Sequence, residues 1–117
     1  MADTLVYKII DRAEWARADA AGVFHGVAID LKDGYIHFST AAQARETARL
    51  HFNGQTGLCL VAVETASLGD SLKWEPSRGG QLFPHLYGAL PLASVRRVNE
   101  LPLGEDGLHI FPELDSE

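Results

Sequence analysis

Only one cysteine, Cys59, occurs in the 117 residues, so no disulfide can form within the chain. Its neighbours in LCLVAV put it in an apolar strand, where a thiol serves as an inert core side chain rather than a nucleophile. Long hydrophobic stretches are missing as well. The longest unbroken apolar run, Leu58 to Val63, falls far short of the roughly 20 residues that a membrane-spanning helix needs. The opening MADTLVYK has neither the basic nor the apolar region of a secretion signal. These absences predict a soluble cytoplasmic protein that does not enter a membrane. Positive charge is scarce too, with 10 Lys and Arg against 16 Asp and Glu and a net charge of −6. Non-specific nucleic-acid binding, which needs a basic surface to displace counterions, is therefore not expected. Part of the acidic excess lies in PELDSE at 112–117, read as a solvated tail. A local basic pocket for one small anion stays open.

Several chemical signatures are absent in turn. There is no glycine-rich dinucleotide loop and no Walker-type phosphate loop. The five histidines, His25, His37, His51, His85 and His109, are scattered, with no His-Glu-x-x-His or Cys-x-x-Cys spacing, so no metal is expected. Without a G-x-S-x-G elbow, a serine hydrolase is disfavoured, and no glycosidase carboxylate pair can be picked out.

What is present is a hydrophobic period that switches between two and about 3.6 without a linker or repeat, over a length that suits one domain, 1–117. TLVYKII (4–10) reads as a strand, and Asp11 with Glu14 as the capping box of a helix ending near Gly22. VFHGVAID is ambiguous between strand and loop, and KDG reads as a turn. YIHFS is a strand leading into a second helix, capped by Thr40 and Gln43, with Ala44, Ala48, His51 and Phe52 on one stripe. LCLVAVE is the central strand; LKWE, FPHLYG, SVRRVNEL and a short GLHIF follow. This order predicts an α+β fold with a mixed or largely antiparallel sheet and two main helices, too few to cover both faces of a parallel sheet.

Strand alternation gives DGYIHFST its interest. Ile36 and Phe38 point one way, while Tyr35, His37 and Ser39 point the other. Just beyond them, the helix N-terminus with Ser39 and Thr40 offers unpaired N–H groups to an anion, which suits a phosphate-bearing ligand. The competing reading makes Ser39 or Thr40 a simple helix cap and His37 a histidine bonded to a neighbouring strand. In LFPHLYG, Phe83, His85 and Tyr87 share a face if the segment is extended, as Pro84 favours, with the proline at an edge or a strand start. Between the two stretches lies LKWEPSRGG, where Trp74 alternates with Lys73 and Glu75 and Arg78 precedes two glycines. That arginine reads either as an anion contact or as part of a solvated turn.

In combination, DGYIHFST, the apolar strand about twenty residues later, LKWE and FPHLYG resemble the small bacterial domains grouped as domain of unknown function 952, from Tyr7 to Leu103. More remotely, YIHFST with its following helix and LCLVAVE is similar to the H-x-H-x-S strand, helix and strand of RNA 2′-phosphotransferases. His37 and Ser39 stand at the second His and the Ser of that pattern, and Tyr35 departs from its first His. The arginine set of those RNA enzymes finds no position-by-position match here, and RNA is not implied as a substrate. The resemblance implies an ADP-ribosyltransferase-like split sheet, with NAD or an ADP-ribosyl compound as substrate and no resident cofactor. On that reading Glu75, His37 and His85 are the candidate catalytic residues. Ser39, Thr40, Arg78, Tyr87 and Trp74 are then candidate ligand contacts. Glu75 has a plain alternative, pairing with Lys73 or Arg78 on an exposed edge. Two other readings stand beside the enzyme: a non-catalytic module for a small phosphorylated ligand, or for a protein met through Trp74, Phe83 and Tyr87, and a polar core device in which the histidines tie strands together.

Overall fold

In a computed structural model, the structure describes residues 4–114. Residues 115–117 of the expected acidic tail lie outside it. Eight strands and three α-helices follow in the order β1 (Leu5–Asp11), α1 (Arg12–Ala21), β2 (Val23–Phe24), α2 (Ala28–Asp33), β3 (Ile36–His37), α3 (Ala41–His51), β4 (Leu58–Glu64), β5 (Leu72–Pro76), β6 (Leu82–Leu86), β7 (Leu90–Pro91) and β8 (Val95–Leu101). Among the described residues every strand pairing is antiparallel, in sheets β1-β4-β8, β3-β6-β5 and β2-β7. The architecture is α+β.

The centre is β4, as its unbroken apolar sequence predicts. Cys59, Val61 and Val63 project into one core with Val6, Ile10 and Trp15. Leu58, Leu60 and Ala62 project into a second core with Leu5, Tyr7 and Ile9. Alternation thus makes β1 and β4 two-sided, and burying each such aliphatic side chain contributes about 1.5–3 kcal/mol. Helix α1 covers the first face through Trp15 and Ala18, and α3 covers the second through Ala44 and Ala48. Asp11 caps α1 by accepting from the N–H groups of Ala13 and Glu14. Thr40 and Gln43 form the capping box of α3. On the expected stripe, Phe52 is half-buried and His51 is exposed. Among the described residues, no helix is long and apolar enough to cross a membrane.

Three features differ from expectation. VFHGVAID resolves into β2 and the start of α2, so the helices number three rather than two. Lys32 and Asp33 of the expected KDG turn belong to α2, and only Gly34 leaves the helix, as its left-handed cap at φ +88°. With six residues, α2 is too short for a hydrophobic period to declare it, and it exposes Ile29 and Leu31. Pro84 departs furthest. It was expected at an edge or a strand start and sits in the middle of β6, the central strand of its sheet. The position tolerates it because the ladder ends there. The Phe38 N–H still donates to the Pro84 carbonyl at 3.0 Å, but proline has no N–H to return. One residue on, Ser39 leaves β6 and exchanges both backbone hydrogen bonds with Tyr7 of β1. The two three-stranded sheets are thus joined at Tyr7 and Ser39 and diverge on either side of that bridge.

Candidate functional site

The face of β3 and β6 opposite the first core carries a cluster of rings. Ile36 and Phe38 are buried in that core, which turns His37 the other way, opposite His85 in the ladder. The His37 and His85 rings meet edge to face with centroids 5.5 Å apart. Tyr35 stacks on His85 at 4.1 Å and lies 4.7 Å from His37 and 5.2 Å from Tyr87. From the edge strand β5, Glu75 reaches the same cluster. Its Oε1 accepts from His85 Nδ1 at 2.7 Å and from the Tyr87 hydroxyl at 2.8 Å. Those two bonds hold the Glu75 carboxyl below its ordinary pKa, and the same contact raises the Tyr87 phenol. Glu75 is therefore engaged by His85 and Tyr87.

Behind His37 lies a buried charge network that sequence reasoning missed. Asp30, 1% exposed, accepts from Lys8 Nζ at 3.0 Å, from the Val27 N–H at 2.9 Å and from the His37 N–H at 3.1 Å. His37 Nδ1 stands 2.6 Å from the same carboxylate, while its Nε2 lies 3.0 Å from Asp33 at the end of α2. Burial alone would raise the Asp30 carboxyl. The His37 hydrogen bond, the Lys8 ammonium and the Val27 N–H outweigh burial and bring it down to about 2. For Lys8, burial dominates and lowers its pKa against the opposing pull of Asp30. A weak signal was available: a lysine inside TLVYKII, apolar on both sides, needs a buried partner. Gly26 makes room for the network. It adopts φ +118°, and a Cβ there would stand 2.7 Å from the Asp30 Cβ.

A cavity of about 580 Å³ opens where the sheets diverge, within the range of small-ligand sites. His37, Ser39 and His85 line it together with Tyr7 and Lys8 of β1 and Thr47 of α3. The remaining predicted contacts are distributed as follows. The Ser39 hydroxyl bonds Thr47 at 2.8 Å. The Thr40 hydroxyl and N–H are both held by Gln43. By alternation, Trp74 projects from the face of β5 opposite Glu75. Phe83 is buried, so Trp74, Phe83 and Tyr87 do not form one exposed patch. Arg78 lies in the turn between β5 and β6. The structure therefore brings Glu75, His37, His85 and Tyr87 together and leaves Thr40 and Trp74 apart from them. Among the described residues, no group of three His, Cys, Asp or Glu is arranged to hold a metal ion.

Comparison with known proteins places these residues in a wider set. The family model described as "Protein of unknown function (DUF952)" matches residues 9–98. A crystal structure of protein CC0527 from Caulobacter crescentus is 53% identical, with 92% of this chain and 94% of that one covered and a TM-score of 0.88. The solution NMR structure of CC0527 is 54% identical over 90% of each chain, with a TM-score of 0.82. No curated protein matches.

Proposed function

The chain belongs to the family of proteins of unknown function DUF952, and from that membership and the geometry of the cleft we propose an ADP-ribosyltransferase-type enzyme acting on NAD or an ADP-ribosyl compound. The observation that carries this reading is the grip of His85 and Tyr87 on Glu75, beside a cavity that His37 and His85 line and Glu75 does not. The split-sheet likeness drawn from YIHFST and LCLVAVE supports it further.

Breaking the bond from ribose carbon to nicotinamide sends the electron pair to the pyridinium nitrogen and leaves an oxocarbenium-like centre. A fixed carboxylate stabilises that charge as it develops. Glu75 is such a group: ionised, with its orientation set by two hydrogen-bond donors. The rings of Tyr35 and Tyr87, tilted 45° to each other, offer aromatic contact to the departing base. His37, on the cavity wall, contacts a ribose hydroxyl. The acceptor completes the transfer by bonding to the ribose carbon and giving up its proton.

The test is a titration with NAD at millimolar concentration, following the five histidine imidazoles by NMR and free nicotinamide in the same samples. Selective movement of the His37 and His85 signals, abolished in His37→Ala, supports the site. Released nicotinamide makes it an enzyme, and Glu75→Gln should then lower the rate about 10²–10³-fold while binding persists. If neither signal moves, NAD is excluded as the ligand and the non-catalytic module takes its place.

A further inference from the structure

Asp30 accepts from three groups whose roles are fixed: the Lys8 ammonium and the N–H groups of Val27 and His37. Each can only donate, and an ionised carboxylate can only accept. The fourth contact, 2.6 Å from Oδ1 to His37 Nδ1, must then have the ring nitrogen as donor. Three elements fix the carboxylate in place: β1 through Lys8, α2 through Asp30 itself, and β3 through the His37 backbone. Asp30 is bound twice over to His37, once at the ring and once at the backbone of the same residue, which fixes both the position and the rotation of the imidazole. Lys8 balances the buried charge, so the carboxylate need not take up a proton.

We propose that Asp30 is the positioning residue for His37: it keeps the ring proton on Nδ1 and thereby reserves Nε2 for the ligand in the cavity. This rests on the reading of His37 as a ligand contact and adds how the ring is set for that role. Asp33, 3.0 Å from Nε2 with its side chain 34% exposed, can accept from Nε2 only when the ring carries a second proton; with one proton on the ring, held at Nδ1 by the buried Asp30, Nε2 is an acceptor for a ligand hydroxyl. A buried ion pair serving only stability has no need to face a ring in a cavity wall. Here the pair ends on a histidine whose other nitrogen lies beside the partly exposed Asp33.

The decisive measurement is the long-range proton–nitrogen spectrum of the imidazoles in the wild-type protein, with no ligand, at a pH where the His37 ring carries one proton. The expected pattern is a protonated Nδ1 and a bare Nε2 for His37. A proton on Nε2 overturns the proposal at once, whatever any variant does. A second sample, Asp30→Ala combined with Lys8→Met so that no charge is left buried alone, should lose the Nδ1 preference while retaining a dispersed backbone spectrum. An unchanged tautomer in that sample also overturns it. Adding NAD to the wild type separates the two claims. If His37 is Nδ1-protonated but unmoved by NAD, the ligand assignment fails and the positioning role stands.

Discussion

Tyr35 lies stacked on His85, the ring centroids 4.1 Å apart and the planes 22° from parallel. The contact crosses from the residue before β3 to His85, the fourth residue of β6, so it fastens the start of β3 to β6 where the ladder is short. Burial comes first among the influences that raise the Tyr35 phenol, followed by the charges of Asp33 and Glu75.

Replacing Tyr35 by Leu should remove the ring current felt by His85 and cost about 0.5–1.5 kcal/mol, the usual worth of an aromatic pair beyond its area. Proton NMR of the His85 ring and urea unfolding check the two parts. A His85 shift unchanged in the variant would mean that the stack does not persist in solution.

Asp30 ties stability to pH in a definite direction. Its carboxyl titrates at about 2 when folded and near 3.8 when free. The folded state therefore binds its proton less readily, and the contribution is fully present above the free value. It is lost as pH falls from near 3.8 through about 2, and the gap is worth roughly 2 kcal/mol. Urea unfolding between pH 7 and pH 2 should show this loss, and Asp30→Asn should remove that part of the acid dependence.

Gly26 and Gly22 give a paired test of space against conformation. Both adopt positive φ, but a Cβ at Gly26 meets Asp30 at 2.7 Å and one at Gly22 meets nothing within 4 Å. Gly22→Ala should cost about 1–2 kcal/mol, the backbone term alone. Gly26→Ala should cost about 2–4 kcal/mol, because Asp30 must also give up hydrogen bonds. Equal losses in thermal or chemical unfolding would contradict the crowding of Asp30.

Cys59 should resist thiol reagents in the folded protein. Burial pushes its pKa from 9.0 up to about 11, which alone cuts the thiolate fraction about 100-fold near neutral pH. Labelling should be slow in buffer and fast in denaturant, with a rate that follows unfolding.

The sequence made some of this legible and hid the rest for physical reasons. Alternation of period two correctly set Tyr35 and His37 against Ile36 and Phe38, and placed His85 with Tyr87, because strand geometry alone fixes those directions. Glu75 could be nominated, but its partners could not, since the β5–β6 register depends on the whole sheet. The Lys8–Asp30 pair spans 22 residues and two elements, and no local pattern reports a contact made by tertiary folding. Helix α2 stayed hidden because a turn and a half carries too little periodicity, and because Asp30, which ties its start at Val27, works from inside the fold. Pro84 was assigned to an edge by a rule about backbone donors. β6 is nonetheless central, and it accommodates the proline because β3 leaves at that residue.

That departure also governs alignment. Were β3 free to slide along β6 by a single position, the period-two geometry would carry His37 into the core and bring Ile36 or Phe38 out to the cavity. Ser39 exchanges both backbone hydrogen bonds with Tyr7 of the other sheet, so a β3 shifted along β6 would have to give up that pair. One pair of backbone hydrogen bonds made to the other sheet thus helps decide which way the histidine faces.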